Sequence, residues 1–151
     1  MELADFIKNG VIYFAMPLVL VLMSLADLKN KYIPVWALFA LAGGLGAYGF
    51  ALSGDLISLL RGILPGGIII IISLITKGKI GWGDGATIAA IGLGFGFGFS
   101  AGVVMASLML AAVFSVFALA VKKVGREYSF PFIPFITGGY AICLLVEKTQ
   151  L

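Results

Sequence analysis

The chain of 151 residues is 62% hydrophobic and only 11% charged. Because a soluble domain carries about 25% charged residues, this composition excludes a water-soluble core and predicts an integral membrane protein. Histidine is absent and cysteine occurs once. These counts exclude Ser-His and Cys-His catalysis, an internal disulfide, and His or CxxC metal sites, so we expect neither a metal nor a cofactor. The net charge of +3 comes from basic residues that form no continuous face, so we expect no nucleic-acid partner.

Six apolar runs approach the length of about 20 residues that an α-helix needs to cross a bilayer. We therefore predict an all-α integral membrane protein with six transmembrane helices, built as a single membrane-embedded domain over residues 1–151. Only Ser100 separates the fourth run from the fifth, so one long kinked helix is the alternative at that point. The predicted spans are 10–26, 35–53, 57–76, 85–99, 101–121 and 130–146.

The distribution of lysine and arginine sets the expected orientation of the spans. With the N-terminus outside, the loops after the first, third and fifth spans are cytoplasmic and carry seven basic residues, against three on the opposite side. This excess agrees with the positive-inside rule. A single crossing over 85–121 would move the last cytoplasmic cluster outside and reverse the bias, which favours six spans. The cytoplasmic residues are Lys29, Lys31, Lys77, Lys79, Lys122, Lys123 and Arg126, and the others are Lys8, Arg61 and Lys148.

Glycines recur at four-residue intervals within the predicted spans. Small residues at this spacing let helix backbones approach closely in lipid, so we interpret them as sites of helix packing. The glycine-rich run at 92–102 follows no strand, so it does not indicate a dinucleotide-binding loop. The pairs are Gly62/Gly66, Gly92/Gly96, Gly94/Gly98 and Gly98/Gly102.

Two of the seven carboxylates, Asp27 and Asp84, fall where an apolar span meets the predicted cytoplasmic interface. Ionisable groups at membrane depth are costly and by default indicate function. Pro34 suits the first turn of the second span, so it closes a short interfacial loop that begins at Asp27. Glu127 is expected to pair with its basic neighbours in the cytoplasmic loop. Solvated surface is the expected environment of the remaining acids, which are Glu2, Asp5, Asp55 and Glu147.

Three glycines surround Asp84 in the segment KIGWGDGATI, residues 79–88. Because glycine has no side chain, Gly81, Gly83 and Gly85 are expected to let the backbone turn tightly and to let another part of the chain approach.

Asp27 and Asp84 together form the candidate site. In an aspartyl dyad one acid is ionised and activates water, while the other is protonated and polarises the carbonyl. A proton- or cation-coupled transporter could also use two interfacial acids. The residues alone favour the protease and the transporter about equally.

Three segments of the chain resemble the type IV prepilin peptidases, including the archaeal preflagellin peptidases, which are GxGD membrane aspartyl proteases. Asp27-Leu-Lys-Asn-Lys-Tyr-Ile-Pro34 is similar to the family's D-x(6)-P segment, and Gly81-Trp-Gly-Asp84 is similar to its GxGD motif. Pro131-Phe-Ile-Pro-Phe135 is similar to its PF-x-PF element. The segments occur in the family's order, and the resemblance runs over about residues 11–146.

The resemblance implies a membrane aspartic endopeptidase with a GxGD core, in which Asp27 and Asp84 are the catalytic residues. The implied substrate is a prepilin-like or preflagellin-like precursor with a short basic leader in the cytosol and a hydrophobic helix in the bilayer. The implied location is the plasma membrane, with the dyad at its cytoplasmic side.

The chain departs from the family pattern in two ways. Gly85 and Ala86 stand where a β-branched residue and Lys are usual, and the zinc-binding insert with two CxxC pairs is missing. By resemblance the protein cleaves its substrate without methylating it. A peptidase-like protein with an altered substrate or lost activity and a small transporter are the alternatives.

The helix ends predict different roles for the two acids. Asp84 precedes the N-terminal end of the fourth span, where the helix dipole favours negative charge, and Asp27 ends the first span, where the dipole disfavours it. We therefore expect Asp84 to be the base that activates water and Asp27 to be the acid.

Aromatic and proline residues near the predicted site have two interpretations. They either line the approach of the substrate, with an irregular start to the sixth span, or form an ordinary helix start with interfacial aromatic anchors. These residues are Trp82, Pro131, Phe132, Pro134 and Phe135.

Overall fold

The computed structural model of the protein describes residues 15–26, 29, 35–77, 81–122 and 132–149. Within these residues the fold is all-helical, as the composition predicts. We number the helices in chain order from the first described one. They are α1 (Ala15–Ala26), α2 (Val35–Ser53), α3 (Leu56–Ile75), α4 (Trp82–Lys122) and α5 (Ile133–Thr149).

The described helices have the length and surface of membrane-spanning segments. Three of them hold windows long and apolar enough to cross a bilayer, namely Trp36–Ser53, Leu56–Ile75 and Trp82–Val121. Large apolar side chains cover their outer faces, and Trp36 and Phe39 are 75% and 74% exposed. Such a surface is stable in lipid but not in water, which agrees with a membrane protein.

Helix α4 consists of two helices that meet at Gly96. The backbone there has φ 83° and ψ 176°, a conformation that only glycine adopts at low cost. The Ser100 hydroxyl donates a hydrogen bond of 3.3 Å to the carbonyl of Ile88. In a continuous helix these residues would lie about 18 Å apart, so the chain folds back at Gly96 and the two halves, 82–95 and 97–122, pack side by side.

The predicted boundary between the fourth and fifth spans is therefore displaced. The sequence suggested Ser100, which lies inside the second half of α4 and is fully buried. The break comes four residues earlier because Gly96 tolerates a positive φ, whereas the Ser100 hydroxyl is used to hold the two halves together.

Helices α3 and α4 pack in antiparallel orientation through glycine. The Cα atoms of Gly62 and Gly92 each lie against the other's carbonyl oxygen. Gly66 lies against the backbone of Ala89, where an added Cβ would be 2.6 Å from the Ala89 Cα. The interpretation of Gly62 and Gly66 as packing residues is correct, since the two backbones touch where no side chain intervenes.

The other predicted glycine pairs behave differently from one another. Gly94 packs against Leu45 of α2, and Gly102 packs against Cys143 of α5. Gly96 forms the break in α4, and nothing lies within 4 Å of the position of a Cβ at Gly98. The packing interpretation is therefore wrong for Gly98.

An aromatic cluster joins α5 to both halves of α4. The Tyr140 ring is fully buried and makes edge-on contacts with Phe95 and Phe99, at centroid distances of 5.7 and 5.4 Å. Leu20 of α1 belongs to the same buried core. The Thr137 hydroxyl of α5 donates a hydrogen bond of 3.3 Å to the Leu20 carbonyl, which ties α1 to α5.

Two adjacent glycines of α3 provide a matched test of this packing. We expect Gly66→Ala to lower the free energy of unfolding by about 1–3 kcal/mol, because the new methyl group would force the α4 backbone away. Gly67→Ala should raise it by about 0.5–1 kcal/mol, because nothing lies within 4 Å of that Cβ position and alanine is the better helix former. Thermal unfolding of the detergent-solubilised variants measures both effects. Equal changes in the two variants would contradict the proposed contact.

Candidate active site

Asp84 lies in the first turn of α4 and is almost completely buried, with 8% of its surface exposed. Its backbone N–H donates a hydrogen bond of 3.2 Å to the carbonyl of Gly81. The carboxylate folds back over Gly81, and a Cβ at Gly81 would lie 2.6 Å from Oδ2. The absence of a side chain at Gly81 therefore creates the space that the carboxylate occupies.

The start of α4 supplies a favourable electrostatic environment for the carboxylate. The first turn of a helix has backbone N–H groups without partners in the helix and carries the positive end of the dipole. The sequence placed Asp84 just before this helix, whereas the structure begins α4 at Trp82. The correction leaves the sign of the dipole effect unchanged.

The chain reverses between the end of α3 at Ile75 and the start of α4 at Trp82. Residues 78–80 of this connection lie outside the described residues, so the expected turn at Gly81 stays a prediction, whereas Gly83 and Gly85 do not form one. Gly83 and Gly85 both lie within α4, and the glycines with positive φ in the described residues are Gly54 and Gly96. The Thr87 hydroxyl donates a hydrogen bond of 2.9 Å to the Gly83 carbonyl, which supports the helical first turn from inside. Within this helix Gly85 serves the contact with α3, whereas Gly81, just before the helix, faces the Asp84 carboxylate.

Gly85 is the glycine at which another helix approaches. A Cβ there would lie 2.9 Å from the backbone nitrogen of Ile70 and 3.0 Å from the carbonyl oxygen of Gly66. This contact accounts for the departure from the family pattern at Gly85. A β-branched side chain would collide with α3 in this arrangement.

Ala86 connects the first turn of α4 to three other helices. It packs against a buried cluster made by Met23 of α1, Leu38 of α2 and Ile133 of α5. The last turn of α1 and the first turns of α2, α4 and α5 therefore meet at one end of the bundle. The lysine expected from the resemblance is replaced here by a methyl group that packs in an apolar contact.

The aromatic residues at the start of α5 have packing roles. The Phe132 carbonyl accepts hydrogen bonds from the backbone N–H groups of Phe135 and Ile136, at 3.0 and 3.1 Å. Pro134 occupies the first turn, where its missing N–H costs no hydrogen bond. The Phe135 ring lies 5.5 Å from that of Phe114. The described part of α5 thus starts as an ordinary helix, and substrate lining by Phe132, Pro134 and Phe135 stays a prediction.

Trp82 is the first residue of α4 and is 51% exposed, which suits either an interfacial anchor or contact with a substrate. Three of the predicted site residues, Asp27, Pro34 and Pro131, lie outside the described residues. The described part of α1 ends at Ala26, directly before Asp27 in the chain.

Two buried hydroxyl residues, one on α4 and one on α3, were not predicted from the sequence. Thr87 is fully buried, and Ser73 of α3 is 2% exposed. The available signal at Ser73 was a polar residue within the apolar run GGIIIIISLI, residues 66–75. A cavity of about 300 Å³ near Gly49 and Gly96 lies at the opposite end of the α3–α4 pair and is not part of this site.

Comparison with known families identifies the chain. The model of the type IV leader peptidase family matches residues 14–116. The match covers most of the chain and includes both Asp27 and Asp84, so the chain belongs to this family, as the three motifs predict. The family is one of membrane proteases, with prepilin-like substrates. No curated protein and no solved structure matches the chain.

The space above Gly81 provides a test of the geometry around Asp84. We expect Gly81→Ala to lower kcat/KM for leader cleavage at least tenfold, because the new methyl group displaces the carboxylate, and a displacement of about 1 Å can cost a factor of about 100. The melting temperature should change little, since the displaced group is the end of a flexible side chain. Gly67→Ala is the control and should cleave at the parental rate. Parental activity in Gly81→Ala would contradict the assigned position of the carboxylate.

Proposed function

We propose that the protein is a membrane aspartic endopeptidase that removes the short basic leader from prepilin-like or preflagellin-like precursors. Asp27 and Asp84 are its catalytic residues, and cleavage takes place at the cytoplasmic side of the plasma membrane. The observation that carries this proposal is the buried carboxylate of Asp84, held at the start of α4 where the ends of α1, α2 and α5 also meet.

The packing of α1 supports the pairing of the two acids. Met23 lies in the last turn of α1 and shares a buried cluster with Ala86, two residues after Asp84. Asp27 follows Ala26 directly, and consecutive Cα atoms are about 3.8 Å apart. The described part of α1 therefore ends, at Ala26, at the same end of the bundle that holds Asp84.

The break in α4 supports the six-span topology. Because the chain folds back at Gly96, the two ends of α4 at Trp82 and Lys122 lie toward the same side of the bundle. Lys122 then shares a side with Lys77 at the end of α3. Lys79, Lys123 and Arg126 are their neighbours in the chain, so the positive-inside rule supports a cytoplasmic face at this end and six crossings with the N-terminus outside.

The proposed reaction is the hydrolysis of one peptide bond by water. Ionised Asp84 accepts a proton from water as the water oxygen bonds to the carbonyl carbon, and protonated Asp27 donates its proton to the carbonyl oxygen. Transfer of a proton to the amide nitrogen then breaks the C–N bond and gives a carboxylic acid and an amine. At the end of the cycle Asp84 is again ionised and Asp27 is again protonated.

The helix ends support the assignment of the two roles. The start of α4 stabilises a negative charge on Asp84, whereas the C-terminal end of α1 disfavours one on Asp27. Each effect is worth about 0.3–2 kcal/mol. Asp84 is therefore the acid of the pair that ionises first.

An altered substrate preference is the second candidate. The observation that favours it is Ala86, whose methyl group packs against Met23, Leu38 and Ile133 where related enzymes carry a lysine. Without that lysine the site lacks a positive charge that could pair with an acidic residue of the precursor, so a precursor with apolar residues next to the cleavage site is the expected substrate.

Carboxamide variants test the dyad and the order of ionisation. In assays of purified protein with prepilin-like and preflagellin-like precursors, we expect the parent to cleave, Asp84→Asn to have no activity, and Asp27→Asn to retain a measurable rate. Equal losses in the two variants would contradict the order, and full activity in either would contradict the dyad.

Asp55→Asn is the matched control for these variants. Asp55 is an exposed acid at the N-terminus of α3, and its Oδ1 accepts a hydrogen bond of 3.0 Å from the Ile57 backbone N–H. Asparagine retains this cap, so the variant should fold and cleave like the parent.

The orientation of α3 tests the location of the site. Asp55 and Lys77 lie near opposite ends of this helix, and both are exposed. In a Cys143→Ala background, we expect a membrane-impermeant maleimide added to intact cells to label Asp55→Cys but not Lys77→Cys. The reverse pattern would put Asp84 on the outer face and overturn the proposed location.

A further inference from the structure

Ser73 belongs to the face of α3 that packs against α4. Gly62, Gly66 and Ser73 follow one another at intervals of four and seven residues, which places them on one side of a helix. All three are buried, and Ser73 is only 2% exposed. Ser73 is the polar member of this otherwise glycine stripe, so it brings a hydroxyl group into the α3–α4 contact.

The antiparallel pairing puts Ser73 at the axial level of the Asp84 carboxylate. Gly62 lies opposite Gly92, and Ile70 lies opposite Gly85. Three residues beyond Ile70, at about 1.5 Å of rise per residue, Ser73 is level with the first residue of α4. The Asp84 carboxylate folds back over Gly81 and therefore occupies the same level.

Cleavage inside a membrane protein creates a need for such a hydroxyl. The substrate backbone must be extended at the scissile bond, which exposes N–H and C=O groups that are costly to leave without partners in an apolar environment. The Thr87 hydroxyl is already bonded to the Gly83 carbonyl. Ser73 and Asp84 are both buried and both have partners in the structure. Because the two residues share one level of the α3–α4 pair, a substrate backbone bound at Asp84 is expected to pass Ser73.

We propose that the Ser73 hydroxyl hydrogen-bonds the substrate backbone beside the scissile bond and so acts as a substrate-positioning residue. This inference rests on the proposed peptidase activity at Asp84. Because substrate binding exchanges one polar contact of Ser73 for another, the effect of removing the hydroxyl should be moderate.

The experiment compares three variants of the full-length protein in the precursor cleavage assay. We expect Ser73→Ala to lower kcat/KM about fivefold to tenfold, the size of one lost hydrogen bond, and Ser73→Thr, which keeps the hydroxyl, to retain at least half of the parental value. Ser107→Ala is the matched control. It removes a hydroxyl that is fully buried at the α4–α5 contact and bonded to the Val103 carbonyl, and it should leave kcat/KM unchanged.

Melting temperatures distinguish a substrate-positioning role of Ser73 from a purely structural one. A loss of activity in Ser73→Ala, with a melting temperature no lower than that of Ser107→Ala, supports the proposal. Parental activity in Ser73→Ala, or an equal loss in Ser73→Thr, overturns it. If the parent is active and Asp84→Asn is inactive, either of these outcomes contradicts the role of Ser73 but not the proposed function. A parent that cleaves no precursor removes the proposed function and this inference together.

Discussion

The backbone contact between α3 and α4 is the constraint on which the rest of the structure depends. Glycines on both helices let the two backbones touch, from Gly62 opposite Gly92 to Ile70 opposite Gly85. In lipid the hydrophobic effect does not hold helices together, so dispersion and close approach must do so. The contact sets the antiparallel alignment of the pair, and through it the position of the first turn of α4 that carries Asp84.

This alignment also reconciles a buried acid with an apolar bundle. Asp84 lies in the first turn of α4, where the helix dipole favours negative charge, and Gly81 leaves space for its carboxylate. Glycines on either side of Asp84 therefore have two roles: Gly85 lets α4 pack against α3, and Gly81 leaves space for the carboxylate. Gly85 stands where the family usually has a β-branched residue because α3 lies too close for a larger side chain. Ala86 is small enough to pack against the cluster formed by α1, α2 and α5.

Much of the site was accessible to sequence reasoning, but its local geometry was not. The GxGD motif identified Asp84, and the family match covers this motif and the segment from Asp27 to Pro34. Gly81, Gly83 and Gly85 were expected to let the backbone turn and to let another part of the chain approach. Gly85 does allow the approach of α3, but from within a regular helix that the motif did not predict. Ser73 gave only a weak signal, because the sequence does not show which helix a single serine in an apolar helix faces.

The sequence by itself determined that the protein lies in a lipid bilayer, that it is helical, which acids are available for chemistry and to which family it belongs. Composition and motif order are properties of the chain alone. Tertiary structure decided where α4 breaks, which glycines touch another helix and what surrounds Asp84. Ser100 and Gly96 illustrate the difference. Both are compatible with a break between two apolar runs, and only the hydrogen bond from Ser100 to Ile88 across the folded halves assigns the reversal to Gly96.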